Sequence, residues 1–139
     1  MADIKPMSGA TQAIAATALR AQQARMRVIA ENMANANSVS RDAGGDPYRR
    51  QVPVFTPIRT DGGQGVRVAR VEPDRKDFRN VYDPGHPSAD AAGYVKLPNV
   101  DTLVEALDMK EAQRAYEANL NVIETARAME MRTLDILKK

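Results

Sequence analysis

Few residues in this chain are of types that do chemistry. His86 is the single histidine, and with Asp83 and Asp90 close by it could be imagined as a metal ligand. A site built on one histidine needs a fixed scaffold for its carboxylates, and Pro-Gly-His-Pro offers only a turn, so no metal is expected. Cysteine is absent, which removes disulfides, thiolate nucleophiles and cysteine-based zinc sites together. A Ser-His-Asp triad would have to use His86, and no nucleophile elbow accompanies it. Gly62-Gly63-Gln64-Gly65 has the glycines of a phosphate loop, but no Lys-Ser/Thr follows and no helix opens after it. Arg49-Arg50, with Arg20, Arg25 and Arg27, could touch phosphate. Interleaved acids, a formal net charge of only +2 and the lack of a paired aromatic platform argue against nucleic acid. Neither an enzymatic activity, a cofactor nor a small-molecule substrate is expected.

With chemistry set aside, the elements that would have held it become the subject. The last forty or so residues, from Asn99, contain no Gly or Pro and are rich in Ala, Leu, Glu, Met, Lys and Arg, all strong helix formers. A row of mostly apolar positions steps by three and four, apart from one step of five after Leu107: Leu103, Leu107, Ala112, Tyr116, Asn119, Ile123, Ala126, Met129 or Glu130, Thr133 and Leu137. That spacing predicts a seam for lengthwise packing against other helices. A second row of Leu120, Val122, Met131, Leu134 and Ile136 lies off it, so neighbours on more than one side are expected. Asn99 and Asp101 are good N-caps, and Thr102-Leu-Val-Glu105 fits a capping box. Acids at Asp101, Glu105 and Asp108, and bases at Arg132, Lys138 and Lys139, complement the helix dipole.

The N-terminal third mirrors this pattern. Residues 1–7 show no helix signal, and Ser8 is a plausible N-cap. From there to about Asn35 the sequence is Ala-rich, with one stripe through Ile14, Ala18, Ala21, Arg25, Val28 and Asn32. Another runs through Leu19, Met26, Ile29 and Met33. Three asparagines, Asn32, Asn35 and Asn37, crowd the helix end. They suit either capping and turn chemistry or amide bonds that set the register of packed chains.

Between the helices the chain is Gly- and Pro-rich. Tyr48 to Phe55 alternates weakly, and Pro53 confines it to an edge strand or an irregular extended piece. Gly65 to Val71 is the best strand, with Val66 and Val68 on one face and Arg67 and Ala69 on the other. The two could pair as a hairpin, which alone is marginal in water and should pack on the helices or on a neighbour. Residues 72–98, with Phe78, Val81, Tyr82, Tyr94 and Val95 as short apolar marks, read as extended and laid along a surface. The expected organisation is therefore residues 1–37 as an N-terminal helix, 38–98 as an extended middle with a small β-hairpin, and 99–139 as a C-terminal helix. The fold class is mainly α, with the two terminal helices packed as a coiled-coil-like hairpin.

Aromatic content is 4% and hydrophobic content leans on Ala and Met, which favours helices over a dense independent core. No cleavable apolar leader and no membrane span are legible. Two terminal helices with apolar surface on several sides would be wet in a monomer and buried in an oligomer. A heterologous contact repeated with a screw rotation builds a tube or filament.

Four stretches carry a family resemblance, in fixed order. RMRVIAENMANANSVS, with Ala30, Asn32, Ala34, Asn35, Ala36 and Asn37 in place, is similar to the rod and hook proteins of the bacterial flagellum. GGDPYRRQVPVF, VYDPGHPSADAAGYVKLPNVD and EAQRAYEANLNVIETARAM resemble the proximal-rod members of that family. The likeness runs from about residue 8 to the C-terminus. Departures fall at Glu111-Ala-Gln, where a Ser-containing segment is usual, at Ser38 for the usual Thr, and in the loop SRDAGG.

The resemblance implies a structural, non-enzymatic rod subunit in the periplasm that transmits motor torque. Its helices would line the export channel. It would be delivered without a cleaved signal by the flagellar type III export apparatus, and would contact copies of itself, other rod proteins and the base of the rod near the membrane ring. Expected subunit contacts along the first helix are Ile14, Ala21, Val28, Ile29, Asn32, Met33, Asn35 and Asn37. In the middle they are Tyr48, Arg49, Tyr82 and Tyr94. Along the last helix they are Leu107, Tyr116, Asn119, Ile123, Ala126, Leu134 and Leu137. The competing reading is a soluble helical-hairpin adaptor that binds a partner helix without polymerising.

Overall fold

The computed structural model describes residues 7–138, which form α1 (Met7–Ala34), β1 (Gln51–Thr60), β2 (Gly63–Pro73), β3 (Arg79–Tyr82), β4 (Tyr94–Leu97) and α2 (Thr102–Leu137). The fold is mainly α with a small β middle. Residues 1–6 and Lys139 lie outside the described residues, and with them the expectations placed there. Because α1 begins at Met7, Ser8 falls in its first turn rather than before it. α2 has 36 residues, about 54 Å at the usual rise.

The chain divides into two compact units. The first comprises Met1–Met26, Val54–Arg70 and Glu111–Lys139; the second comprises Arg27–Pro53 and Val71–Lys110.

In the first unit, α1 is covered on two sides. One side meets the turn of the hairpin made by β1 and β2, which only Asp61 and Gly62 separate, so the strands run antiparallel. Gly62 lies against Ala10, Gly63 against Ile14 and Gly65 against Thr17, one contact per helical turn. A Cβ on Gly62 would stand 2.6 Å from the Ala10 Cβ, and its φ of +96° already favours glycine. The Thr17 hydroxyl ties the two together, donating to the Ile14 carbonyl at 2.7 Å and accepting the Val66 N–H at 3.1 Å. The Gly-Gly-Gln-Gly stretch is therefore a helix-docking surface. The hairpin packs on a helix, as a two-stranded sheet must if it is to persist.

The other side of α1 faces α2. Gln12 Nε2 donates to Glu130 Oε2 at 3.4 Å and Arg25 to Glu111 at 3.2 Å, so the partners descend α2 as they ascend α1. The covered row of α2 is Glu105, Met109, Ala112, Tyr116, Asn119, Ile123, Ala126 and Glu130, alternating steps of four and three. The expected seam matches this row from Ala112 to Ala126. Its start does not: Leu103 and Leu107 are exposed, because Glu105 and Met109 hold the inward positions. Asn119 spends its amide on its own helix, donating to the Ala115 carbonyl at 2.7 Å.

In the second unit, β3 and β4 form an antiparallel pair in the register Val81↔Val95 and Tyr82↔Tyr94. This corrects the reading of residues 72–98 as surface-laid throughout: Val95 and Pro98 are buried. In β4 Val95 turns inward while Tyr94 turns outward and meets Tyr82 as an edge-to-face pair, 5.2 Å between centroids; all four residues of β3 are exposed. The loop between them is held by local bonds. Asp90 Oδ1 accepts the N–H groups of Ala92 and Tyr94, both at 2.9 Å, and His86 Nδ1 accepts the Ser88 N–H at 3.0 Å.

Candidate assembly surfaces

The second unit is fastened by a polar cluster that the sequence pattern did not announce. Asp101, one of the two expected N-caps, caps α2, accepting the Leu103 N–H at 3.0 Å and the Val104 N–H at 3.4 Å. The side chain of Glu105, expected in a capping box, turns elsewhere. Glu105 is 0% exposed and bonds the Arg50 guanidinium through Nε. The same guanidinium reaches Asp74 at 3.1 Å and Asp108 at 3.6 Å. Burial works against the Arg50 cation, yet hydrogen bonds and charge from Glu105 and Asp74 outweigh it and raise its pKa above the usual value. The Lys76 backbone N–H, assisted by Arg50, holds the Asp74 carboxyl below the usual carboxylate range.

Asn32 completes the cluster from α1. Its Oδ1 accepts the Gln51 N–H at 2.9 Å and the Tyr48 hydroxyl at 2.8 Å. Its Nδ2 donates to the Gln51 carbonyl at 2.8 Å and to Glu105 at 3.4 Å. All four bonding sites of one buried amide are used, which is what burial of such a group requires. Burial, with the negative charges of Glu31 and Glu105, raises the Tyr48 pKa. Asn99, expected as a cap, accepts the Arg50 N–H at 2.8 Å and donates to the Asp74 and Lys76 carbonyls at 3.0 Å. Arg49 donates to those same carbonyls at 2.8 and 2.9 Å, with its guanidinium 4.1 Å from the Phe78 ring centre. Arg49 and Arg50 thus serve the chain's own carbonyls and carboxylates.

The residues expected at subunit contacts fall into three groups. Ala21, Val28, Ile29, Asn32 and Ala126 are buried within a single copy. Ile14, Asn35, Tyr48, Arg49, Tyr116, Asn119 and Ile123 are partly covered, and Asn35 caps its own helix by donating to the Glu31 carbonyl at 2.9 Å. Met33, Asn37, Tyr82, Tyr94, Leu107, Leu134 and Leu137 are exposed. The exposed apolar surface is concentrated on α2, where Leu107 is 59%, Ile136 74% and Leu137 76% exposed. Such a concentration marks an interaction surface. Among the described residues, no helix is long and apolar enough to cross a membrane, and no group of three or more potential ligands is set to hold a metal.

Charge in this molecule fastens strand to helix, and apolar side chains line the outside of its longest element. The design is that of a structural protein made to be one part of a larger assembly. Residues 91–136 match the model of the C-terminal domain of flagellar basal-body rod FlgEFG proteins. Over 96% of both chains, the sequence is 44% identical to the flagellar basal-body rod protein FlgC of Agrobacterium fabrum. It is 43% identical to that of Salmonella typhimurium over 88% of this chain and 92% of the relative. It is 37% identical to that of Bacillus subtilis over 90% of this chain and 95% of the relative. The chain belongs to the FlgC family of flagellar basal-body rod proteins.

Proposed function

We propose that the chain is a structural subunit of the flagellar proximal rod, assembling helically into the periplasmic shaft that transmits motor torque and encloses the export channel. The observation that carries this reading is correspondence over nearly the whole length with relatives named as basal-body rod proteins. The structure supports it physically. α1 has two covered sides within one copy, whereas α2 leaves Leu103, Leu107, Met129, Met131, Leu134, Ile136 and Leu137 exposed. In the rod these side chains pack against copies of the chain and other rod proteins, in coiled-coil-like layers. The base of the rod lies near the membrane ring, and delivery is by the flagellar export apparatus. Many such contacts, each modest, make a shaft stiff in torsion.

The test is to delete the gene in its bacterium and complement with tagged wild type or with Leu134→Asp. Wild type is expected to restore swimming and to copurify with basal bodies. Leu134→Asp should be exported, fold normally and fail to enter the rod. A chain that restores swimming yet stays out of purified basal bodies would instead fit the soluble adaptor.

A further inference from the structure

Two surfaces of this chain differ in character: one is a groove edged by arginines, the other an exposed tyrosine pair beside aspartate. The first lies in the first unit, between α1 and the β1–β2 hairpin. There Ala21, Ala24, Ile58 and Val68 form the floor of a groove of about 230 Å³, and Arg20 and Arg67 stand on its rim. Both arginines are exposed. The described parts of α1 and the hairpin in this unit carry Arg20, Arg25, Arg59, Arg67 and Arg70 against Asp61 alone.

The second surface lies at the loop end of the β3–β4 hairpin in the second unit. Tyr82 and Tyr94 project there, 65% and 44% exposed. The exposed Asp83 adjoins Tyr82, and Asp42 is exposed in the loop held to this end by the 3.2 Å bond from Gly44 N–H to the Ser88 carbonyl. The second unit carries more Asp and Glu than Lys and Arg, the reverse of the first.

Resting on the rod reading above, we propose that the arginine-rimmed groove of one copy receives the Tyr82–Tyr94 knob of a second copy. A tyrosine ring fills the apolar floor, a guanidinium lies over its face and Asp83 pairs with Arg67. Arg49 over Phe78 shows the chain already using guanidinium-on-ring packing. Opposite charge selects a second copy over a like surface, because like-charged groups facing across an interface repel. The two surfaces differ, so the contact is heterologous, the kind that propagates into a ring or helix rather than stopping at a dimer.

The native chain has no cysteine, so a designed pair reports without background. Arg67→Cys and Tyr82→Cys are each expressed as single variants, and then together, in cells lacking the wild-type gene. Basal bodies are isolated and oxidised with copper phenanthroline. A reducible band at twice the chain mass is expected only when both variants are present. Both variants recovered in basal bodies without that band would overturn the contact while leaving the rod reading intact. The same band from either variant alone would overturn it too. Wild-type chain missing from basal bodies would instead remove the rod reading itself. A charge exchange guards against a variant that fails to assemble. Arg67→Asp and Asp83→Arg should each reduce swarm diameter at least twofold, and the double variant should restore most of it. Circular dichroism should confirm that each is folded, and folded single variants with no rescue in the double would also overturn the contact.

Discussion

Arg50→Met strands Glu105. The Glu105 carboxylate is 0% exposed; in the wild type it is bonded by Arg50 and by the Asn32 amide at 3.4 Å. Methionine keeps the length of the stem and removes every donor, leaving one long amide contact for a buried charge. Removing one partner of a buried ion pair costs about 3–5 kcal/mol. The backbone bond from Arg50 to Asn99 is untouched, so the loss reports the side chain. Against a total stability of roughly 5–15 kcal/mol, a loss of that size is a large fraction. At a urea slope of about 2 kcal/mol per molar it moves the midpoint down by about 2 M. The assay is urea unfolding of the purified full chain, followed by far-UV circular dichroism. Adding Glu105→Leu should recover more than half the loss, since an apolar pair of similar volume commonly replaces a buried ion pair at little expense. A shift under about 0.5 M in Arg50→Met, or a double variant no better than the single, would refute the account of Glu105 as a charge held in place by Arg50.

Asn32→Ala leaves the Gln51 backbone groups and the Tyr48 hydroxyl without their partner and should cost about 3 kcal/mol by the same assay, at about 1 kcal/mol for each of these part-buried groups. Because the Asp74 pKa is lowered on folding, its contribution is complete above the unfolded-state pKa and disappears as pH falls through the folded one. Acid titration of stability should therefore be shallower in Asp74→Asn than in wild type. The Tyr48 pKa is raised, so its contribution is complete below the unfolded-state value and is lost as pH rises through the folded one; Tyr48→Phe should flatten that alkaline decline. Gly62→Ala combines a left-handed φ with a clash against Ala10 and should lower stability by about 1–3 kcal/mol, whereas Leu134→Asp on the exposed end of α2 should leave monomer stability within about 0.5 kcal/mol while abolishing rod entry. Val28→Asp would not test a neighbour, because Val28 is buried within its own copy and a charge there breaks the fold first.

Both helices, the β1–β2 hairpin and the seam from Ala112 to Ala126 were legible because each rests on propensity or spacing within one continuous stretch. Leu103 and Leu107 show where that stops. They stand nine and five residues before Ala112, off the three-four step, which runs back instead through Met109 to Glu105; the residue type of Glu105 does not announce an inward position. What makes it tolerable is Arg50, brought by the segment that leads into β1, and Asn32, brought by the other helix. The same holds for the second hairpin: Val95 and Tyr94 are neighbours in sequence, yet only pairing with Val81 and Tyr82 decides which turns inward. The elements follow from local stretches of sequence, since backbone hydrogen bonding and side-chain periodicity are local. Tertiary structure alone decided which charges go inside and which apolar residues stay out. A buried charge is permitted only by its partners, and those partners lie far away along the chain.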